Sequence, residues 1–198
     1  MKIKENEEVT ATEILKDEHR LIERMLVVLE DAALRIEWGE AIDAQRIRDI
    51  LHFMRMFADS CHHRKEEMFL FPAMEEKGLS RESGPVGVML EEHDLGRAEI
   101  GSMQDALQQY ADGDREARKG ITGHARKAVS ILRDHIQKED RVFFVMADQL
   151  FSEQEQTLLT ESFRQAESSS VGCTMKGALV TLLDRLERGT SQQGTTIS

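Results

Sequence analysis

The sequence predicts an all-α protein: an up-down-up-down four-helix bundle followed by one or two short helices. Ala, Leu, Glu, Arg and Gln are frequent, whereas only two Pro are present, and this composition favours helices over a β-sandwich or barrel. Four long segments place apolar residues at steps of three and four, as amphipathic helices do. The segments around His19 and His62 align with those around His93 and His135 at nearly the same offset. Two repeated helical hairpins predict a bundle with pseudo-two-fold symmetry.

The first two helices have clear boundary signals. Thr10 and Glu13 form a capping box, which predicts the start of a helix that runs to about Glu37. The second helix is predicted over about residues 43–70. Pro72 kinks or ends it there, because proline lacks an N–H donor and restricts the residue before it.

The second half of the chain repeats this arrangement and then adds a tail. A loop over residues 78–84 leads into a third helix over about 86–111, and a fourth helix follows over about 115–150. A second capping box, at residues 152–155, predicts a short fifth helix that ends at about Ala166, and residues 168–172 are expected to form a linker. A last short helix is predicted around 176–187.

The chain of 198 residues suffices for one good-sized core. We therefore expect a four-helix bundle over residues 10–150, a helical extension over 151–190 and a disordered tail over 191–198. The extension is the part that a bare bundle does not need.

The composition limits the partners and the location. The chain has 26 Lys+Arg against 37 Asp+Glu, and a net charge of −11 argues against a nucleic-acid-binding surface. No apolar stretch reaches the roughly 20 residues of a membrane span, and the N-terminus lacks the apolar core of a signal peptide. We therefore expect a cytoplasmic protein without nucleic-acid or membrane partners. Cys61 and Cys173 are expected to be free thiols, with Cys61 either packed on the core or redox-active.

Histidines and carboxylates on the predicted core stripes carry the chemistry. The second and fourth helices each have a His-x-x-x-Glu pair, whose members share one face. One further histidine lies on the core stripe of each of the other two helices. Buried carboxylates without partners cost several kcal/mol each, and a pair of divalent cations bridged by them removes that cost. The predicted ligands are His19, His62, Glu66, His93, His135 and Glu139.

Each of these residues taken alone has a simpler interpretation than a metal site. A single histidine on an apolar face is usually a hydrogen-bonded core residue, and a single His-x-x-x-Glu is usually a helix-surface pair. Both pairs together with two repeat-equivalent histidines favour a metal site. This donor set suits iron, manganese or zinc better than magnesium or calcium, and the lack of a thiolate cluster argues against structural zinc.

These motifs resemble the hemerythrin-like, or HHE cation-binding, family over about residues 10–150. The motifs are His19, the stretch HHRKEEMFLFP that begins at His62, the Glu-His pair that ends at His93, and HIQKED from His135. The resemblance implies a non-heme di-iron site in a four-helix bundle. It also implies that the four histidines are iron ligands and that the two predicted carboxylates bridge the ions, with Mn or Zn able to replace iron in vitro.

One position departs from the oxygen-carrying hemerythrins, which have a second histidine one turn after the one on the third helix. Arg97 stands at that position here. The chain is therefore more similar to the bacterial four-His, two-Glu subgroup, which includes iron-centre repair proteins of nitrosative stress and peroxide-reactive mycobacterial proteins. The departure argues against oxygen transport and leaves iron binding intact.

Five further residues have open roles. Glu23, one turn after the first-helix histidine, either supplies the missing ligand or is a surface charge. His63 and Glu67 are expected beside the ligands or on the surface. Arg97 either steadies a bridging carboxylate or an anionic ligand, or forms a salt bridge at the bundle edge. Gly96 either leaves a small pocket for a diatomic ligand or allows close helix packing.

The sequence thus predicts a cytoplasmic di-iron protein that binds or reacts with O2, NO or peroxide, in the response to oxidative or nitrosative stress. If it is an enzyme, it is an oxidoreductase reactive toward peroxide or NO. The alternative is an oxygen- or iron-sensing or iron-storage module without turnover, in which an unidentified protein partner reads the tail. A structural zinc or manganese bundle is the third hypothesis.

Overall fold

The computed structural model describes residues 9–82, 84–169 and 171–191, and within these ranges the regular secondary structure is entirely helical. The all-α prediction is confirmed. The predicted tail lies, from residue 192 on, outside this part of the chain. The helices are α1 (Ala11–Glu37), α2 (residues 44–76), α3 (Pro85–Ala111), α4 (residues 117–150), α5 (Glu153–Ser169), α6 (Val171–Thr174) and α7 (Lys176–Ser191).

Local signals set the starts of the helices. The Thr10 hydroxyl accepts a hydrogen bond from the Glu13 N–H at 3.2 Å, and the Glu13 carboxylate accepts one from the Thr10 N–H at 2.8 Å. This reciprocal pair satisfies donors that the first turn of α1 leaves free, which confirms the predicted capping box. Asp43 caps α2 by accepting from two backbone N–H groups, and Pro85 occupies the first turn of α3, where its missing N–H costs little.

Helix α2 does not end near residue 70 as predicted but continues through Pro72 to Glu76. Its backbone changes to π-helical i→i+5 bonding over Met54–His63 and again over Glu66–Leu70. Pro72 then falls in the first turn of the α-helical segment that follows the second π segment, where the hydrogen-bond pattern changes. Helix α4 has a matching π segment over Glu139–Phe143, so a π turn begins at each of the two predicted bridging carboxylates.

The tail also differs from its prediction. Helix α5 extends to Ser169, three residues beyond the expected end, and the expected linker at 168–172 includes part of α6. Helix α7 packs Leu179, Leu183 and Leu186 against the main core. Phe163 of α5 is buried in a second apolar cluster at the other end of the bundle.

These two apolar clusters are separated by a polar layer. On α1, α2 and α3, the residues of one cluster precede the predicted ligands along the chain and the residues of the other cluster follow them, and on α4 the clusters lie before Glu139 and after it. The layer therefore lies between two hydrocarbon cores, which exclude water from it.

The prediction of free thiols is wrong, because Cys61 and Cys173 form a disulfide bond. The two residues are 112 positions apart, and the packing of α6 on α2 brings their Cα atoms to 4.9 Å. That separation is within the range that a disulfide requires. Along the described ranges, no helix is both long enough and apolar enough to cross a membrane.

Candidate metal centre

The six predicted ligands are almost completely buried and lie together in the polar layer. Together with His63 they form two groups, within each of which one candidate ligand atom per residue lies within 4.8 Å of the others. Glu66 belongs to both groups. The first group is His19, His62, Glu66 and Glu139, and the second is His63, Glu66, His93 and His135.

Glu66 joins the two groups through its two oxygens. Its Oε1 lies 3.4 Å from His62 Nε2 in the first group, and its Oε2 lies 3.4 Å from His93 Nε2 in the second. Two donors on one first-row metal ion, each about 2.0–2.2 Å from it, are separated by about 3.0–3.5 Å. The observed separations would therefore let each pair of atoms hold one ion, so that Glu66 could contribute a ligand atom to both groups.

Glu139 spans the groups in a second way. Its Oε2 lies 3.1 Å from His19 Nε2 and 3.2 Å from His135 Nε2. His135 Nε2 also faces His93 Nε2 at 3.0 Å. Imidazoles from different helices thus converge on one small region.

Each of the four predicted histidine ligands has a carboxylate on its other ring nitrogen. This arrangement makes Nδ1 the N–H donor and leaves the Nε2 lone pair free for a metal ion. It is the arrangement that orients ligating histidines in known metal sites. The four pairs, with their Nδ1–O distances, are His19–Asp140 (2.7 Å), His62–Glu18 (3.2 Å), His93–Glu67 (2.7 Å) and His135–Glu92 (3.1 Å).

The atoms that point into the layer lack hydrogen-bond partners. Both oxygens of Glu66 and of Glu139, and Nε2 of His19 and of His62, are buried without a partner in hydrogen-bond geometry. An unsatisfied buried polar group costs about 1–3 kcal/mol, and more when it is charged. The donor set therefore fits a pair of divalent cations, which would satisfy all of these atoms at once.

Protons take the place of cations when the site holds no metal. Burial disfavours the charged form of His19, but its contacts with Asp140 and Glu139 outweigh burial and raise the pKa to about 9. Burial also disfavours the charged form of His135, but the negative charge of Glu139 outweighs burial and raises the pKa of His135 to about 10. The pKa of Glu139 is held well below its ordinary value against burial, by His135 and His19. Metal binding must displace these imidazole protons.

His63 is closer to the site than the sequence indicated. It is 5% exposed, its ring stacks on that of His93 with centroids 3.8 Å apart, and its Nδ1 has no hydrogen-bond partner. Burial, then the charges of the neighbouring histidines, hold its pKa well below the ordinary value, so His63 is neutral. The structure thus adds His63 to the second group, as the fifth imidazole of the whole site.

Arg97, at the position of the missing ligand, acts on the site through a carboxylate. Its guanidinium donates to Asp59 at 2.7 Å and to Glu67 at 2.6 Å. Glu67 in turn accepts from His93 Nδ1. Arg97 therefore holds the carboxylate that orients His93, and its donors are engaged by side chains of the chain itself.

Glu23 and Gly96 are placed apart from the ligand atoms. Glu23 pairs with Arg20 at 2.9 Å, is 40% exposed and belongs to neither group. Gly96 is buried and lines a pocket of about 220 Å³ that reaches His63. A Cβ at Gly96 would lie 3.2 Å from Leu132 Cδ2, so the glycine serves close helix packing as well as the pocket.

Glu18 and Glu92 were not among the predicted site residues, although each adjoins a predicted histidine in the chain. Each one accepts from the histidine of a neighbouring helix and also binds a lysine, Lys65 or Lys138. The internal repeat contained the signal, since a Glu-His pair and a His-x-x-Lys-Glu pattern occur in both halves. The two lysines differ in one respect: Lys65 is fully buried, whereas the side chain of Lys138 is 50% exposed.

Comparison with known proteins gives two findings. Residues 10–147 match the family described as the Hemerythrin HHE cation binding domain. The chain is also 24% identical over 164 residues to uncharacterized proteins of Mycobacterium bovis and Mycobacterium tuberculosis. That alignment covers 83% of this chain and spans 64% of the length of those relatives.

Proposed function

Because this chain belongs to the Hemerythrin HHE cation-binding family, we propose that its metal centre is a pair of non-heme iron ions that binds or reacts with O2, NO or peroxide. The role we propose is in the response to oxidative or nitrosative stress in the cytoplasm. The family and the His/Glu cluster establish a metal-binding protein, and the metal and the small ligand are the parts we propose.

One observation supports the proposed ligands above all others. Four imidazoles, each held by a carboxylate at Nδ1, turn Nε2 toward two carboxylates whose four oxygens have no hydrogen-bond partner. Six of these atoms, the four carboxylate oxygens and Nε2 of His19 and of His62, have no hydrogen-bond partner, and each of them destabilises a purely structural core. Coordination of two cations uses all of them.

The donor types suit iron. Imidazole and carboxylate together suit iron, manganese and zinc, whereas magnesium and calcium prefer oxygen ligands alone. The two π turns that begin at Glu66 and Glu139 are a feature that often marks functional sites, which a purely structural ion does not require. When bound, iron supplies the electrons that a small diatomic ligand or peroxide takes up.

The protein's own residues bind and shield the reactants. The two apolar clusters keep bulk water out of the polar layer, so that charges there interact strongly. The pocket lined by His63 and Gly96 gives a small molecule a route to the second group. The pairs on Nδ1 keep the imidazoles oriented while charge at the centre changes.

Metal analysis of a conservative double variant tests the proposed ligands. Glu66→Gln/Glu139→Gln keeps the size of both side chains and removes both negative charges. We expect the anaerobically purified variant to lose both irons, whereas Glu91→Gln, at an exposed position on α3, retains two per chain. Circular dichroism confirms that each variant is folded. A folded double variant with two irons refutes the assignment.

The reduced protein then identifies the small ligand. Absorption spectra after separate exposure to O2, NO and hydrogen peroxide, with iron counted on the same sample, are expected to change for at least one of the three. An iron-loaded protein whose spectrum responds to none of them refutes the reactivity.

A sensing or storage module is the second candidate, and one observation favours it. The extension contacts the site, because Lys176 of α7 binds Glu18 at 2.8 Å, and Glu18 holds His62. A change at the centre can therefore alter the extension. Lys176→Ala breaks the contact between α7 and Glu18. Sensing is supported if this variant keeps full reactivity toward peroxide and NO but no longer binds a protein partner.

A further inference from the structure

The disulfide lies directly beside a proposed metal ligand. Cys61 precedes His62 in α2, and its side chain is completely buried. Its partner, Cys173, is 6% exposed and belongs to the four-residue helix α6 of the extension. Within the described residues, this disulfide is the only covalent link between the bundle and the extension apart from the backbone. It is attached to the bundle next to the proposed metal site.

The backbone of α6 is shaped for this contact. A Cβ at Gly172 would lie 2.3 Å from the Met56 carbonyl oxygen and 3.1 Å from Ser60 Cβ. Only glycine allows the two helices to approach this closely. Cys173, the next residue, therefore reaches Cys61 because Gly172 lets α6 lie directly on α2.

Ion pairs on either side of α6 reach the carboxylate that holds His62. Lys65 of α2 is completely buried and donates to Glu167 of α5 at 2.7 Å. Lys65 and Lys176 both donate to Glu18, which accepts from His62 Nδ1. The extension thereby encloses one carboxylate–histidine pair of the site.

The repeat-equivalent pair in the other half is not enclosed in this way. Glu92 accepts from His135 and binds Lys138, whose side chain is half exposed. The extension therefore distinguishes two otherwise equivalent halves. The disulfide joins it to the half that carries His62.

We propose that Cys61 and Cys173 are a redox-active pair that controls how firmly the His62 side of the metal centre holds its ion. This inference rests on the proposed metal site. The disulfide holds α6 on α2 and keeps the Glu18–His62 pair enclosed. Reduction adds two electrons and two protons and gives two thiols, which frees α6. A dithiol supplies these electrons in cells and is itself oxidised to a disulfide, and we expect the attack at Cys173, the more exposed of the two residues.

Zinc provides a redox-inert probe for the test. The full-length protein is loaded with Zn²⁺, and release of zinc to a coloured chelator is followed before and after treatment with a water-soluble phosphine. The phosphine reduces the disulfide and becomes the phosphine oxide, the oxygen coming from water. Thiols are counted on the same samples, and hydrogen exchange is measured for residues 171–189.

We expect reduction to yield two thiols per chain, to accelerate zinc release about tenfold and to increase exchange in α6, because loss of the groups that orient a ligand costs about 10–100-fold in affinity. Cys61→Ala/Cys173→Ala should release zinc as fast as the reduced wild type and should not respond to phosphine. Cys173→Ala alone keeps the buried Cys61 side chain and serves if the double variant does not fold.

Three results overturn the proposal. They are a disulfide that phosphine does not reduce in the folded protein, two thiols with unchanged exchange in α6, and two thiols with unchanged zinc release. If the oxidised protein binds no zinc, the proposed metal site fails, and exchange in α6 alone then decides whether the pair is a switch.

Discussion

Substitution of the two repeat-equivalent carboxylates, Glu18 and Glu92, separates support of the metal from support of the fold. The side chain of Glu18 is 1% exposed and that of Glu92 is 16% exposed, and each accepts from one histidine and one lysine of α2 or α4. Glu18 accepts in addition from Lys176 of α7. Changing either to Gln keeps its size and removes its charge. The two variants therefore apply the same chemical change in a closed and an open environment.

The expected stability losses follow from the burial of the lysines. Glu18→Gln leaves Lys65 completely buried with Glu167 as its remaining carboxylate partner, and breaking a buried ion pair costs about 3–5 kcal/mol. We expect about 3 kcal/mol here because Glu167 remains. Glu92→Gln releases a lysine that is half exposed, and surface pairs contribute about 0–1 kcal/mol.

Both variants should lose metal affinity to a similar extent, about 10–100-fold, because each removes the charge on Nδ1 of a proposed ligand. Urea unfolding of the metal-free proteins measures stability, and competition with a chelator measures affinity. Glu91→Gln is the control for a neutralised, exposed carboxylate. Equal stability losses would refute the argument from burial, and unchanged affinity in both variants would refute the role assigned to the Nδ1 pairs.

Three further predictions follow from pKa values and glycine contacts. The unfolding free energy of the metal-free protein should decrease as the pH rises from about 6.5 to about 10. The folded-state pKa values of His19 and His135 are raised to about 9 and about 10, so over this range the folded state keeps protons that the unfolded chain has lost. Urea titrations that give the same free energy across this range contradict the prediction. Gly172→Ala should lower stability by about 1–3 kcal/mol because the added methyl group clashes with α2. Gly177→Ala should raise stability by about 0.5–1 kcal/mol, because a Cβ there meets nothing within 4 Å. A different ranking in thermal denaturation contradicts the close packing of α6 on α2. Gly96→Ala should narrow the pocket and slow the stopped-flow reaction of the reduced protein with NO at unchanged iron content, and an unchanged rate excludes the pocket as the route.

The helices and the polar layer could be predicted from the sequence because both depend on local periodicity. Apolar steps of three and four define the helix faces, and the capping box at Thr10 defines a start, so neither requires knowledge of distant contacts. The stripe that buries His62 also buries Glu66, since residues four apart share a face. The structure shows both residues in the layer.

The remainder depends on contacts between helices or on backbone that periodicity does not describe. The disulfide joins residues 112 apart, and the Nδ1 carboxylates belong to neighbouring helices. His63 was expected about 100° away from His62, which assumes an α-helix. The π-helical segment Met54–His63 turns less per residue, because its bonds span five residues, and it brings both histidines toward the same interior.

The unequal exposure of the two lysines has a consequence for how the centre exchanges protons. Every cation that enters must expel protons from the imidazoles. On the open side, a proton that leaves His135 reaches water through Glu92 and Lys138, both of which contact solvent. On the closed side, Glu18 and Lys65 are buried, and they contact solvent only at second hand, through Lys176 and Glu167, whose side chains are 37% and 35% exposed. Protons that a metal displaces are therefore expected to leave through the partly exposed carboxylates Glu92, Asp140 and Glu67 sooner than through the buried Glu18.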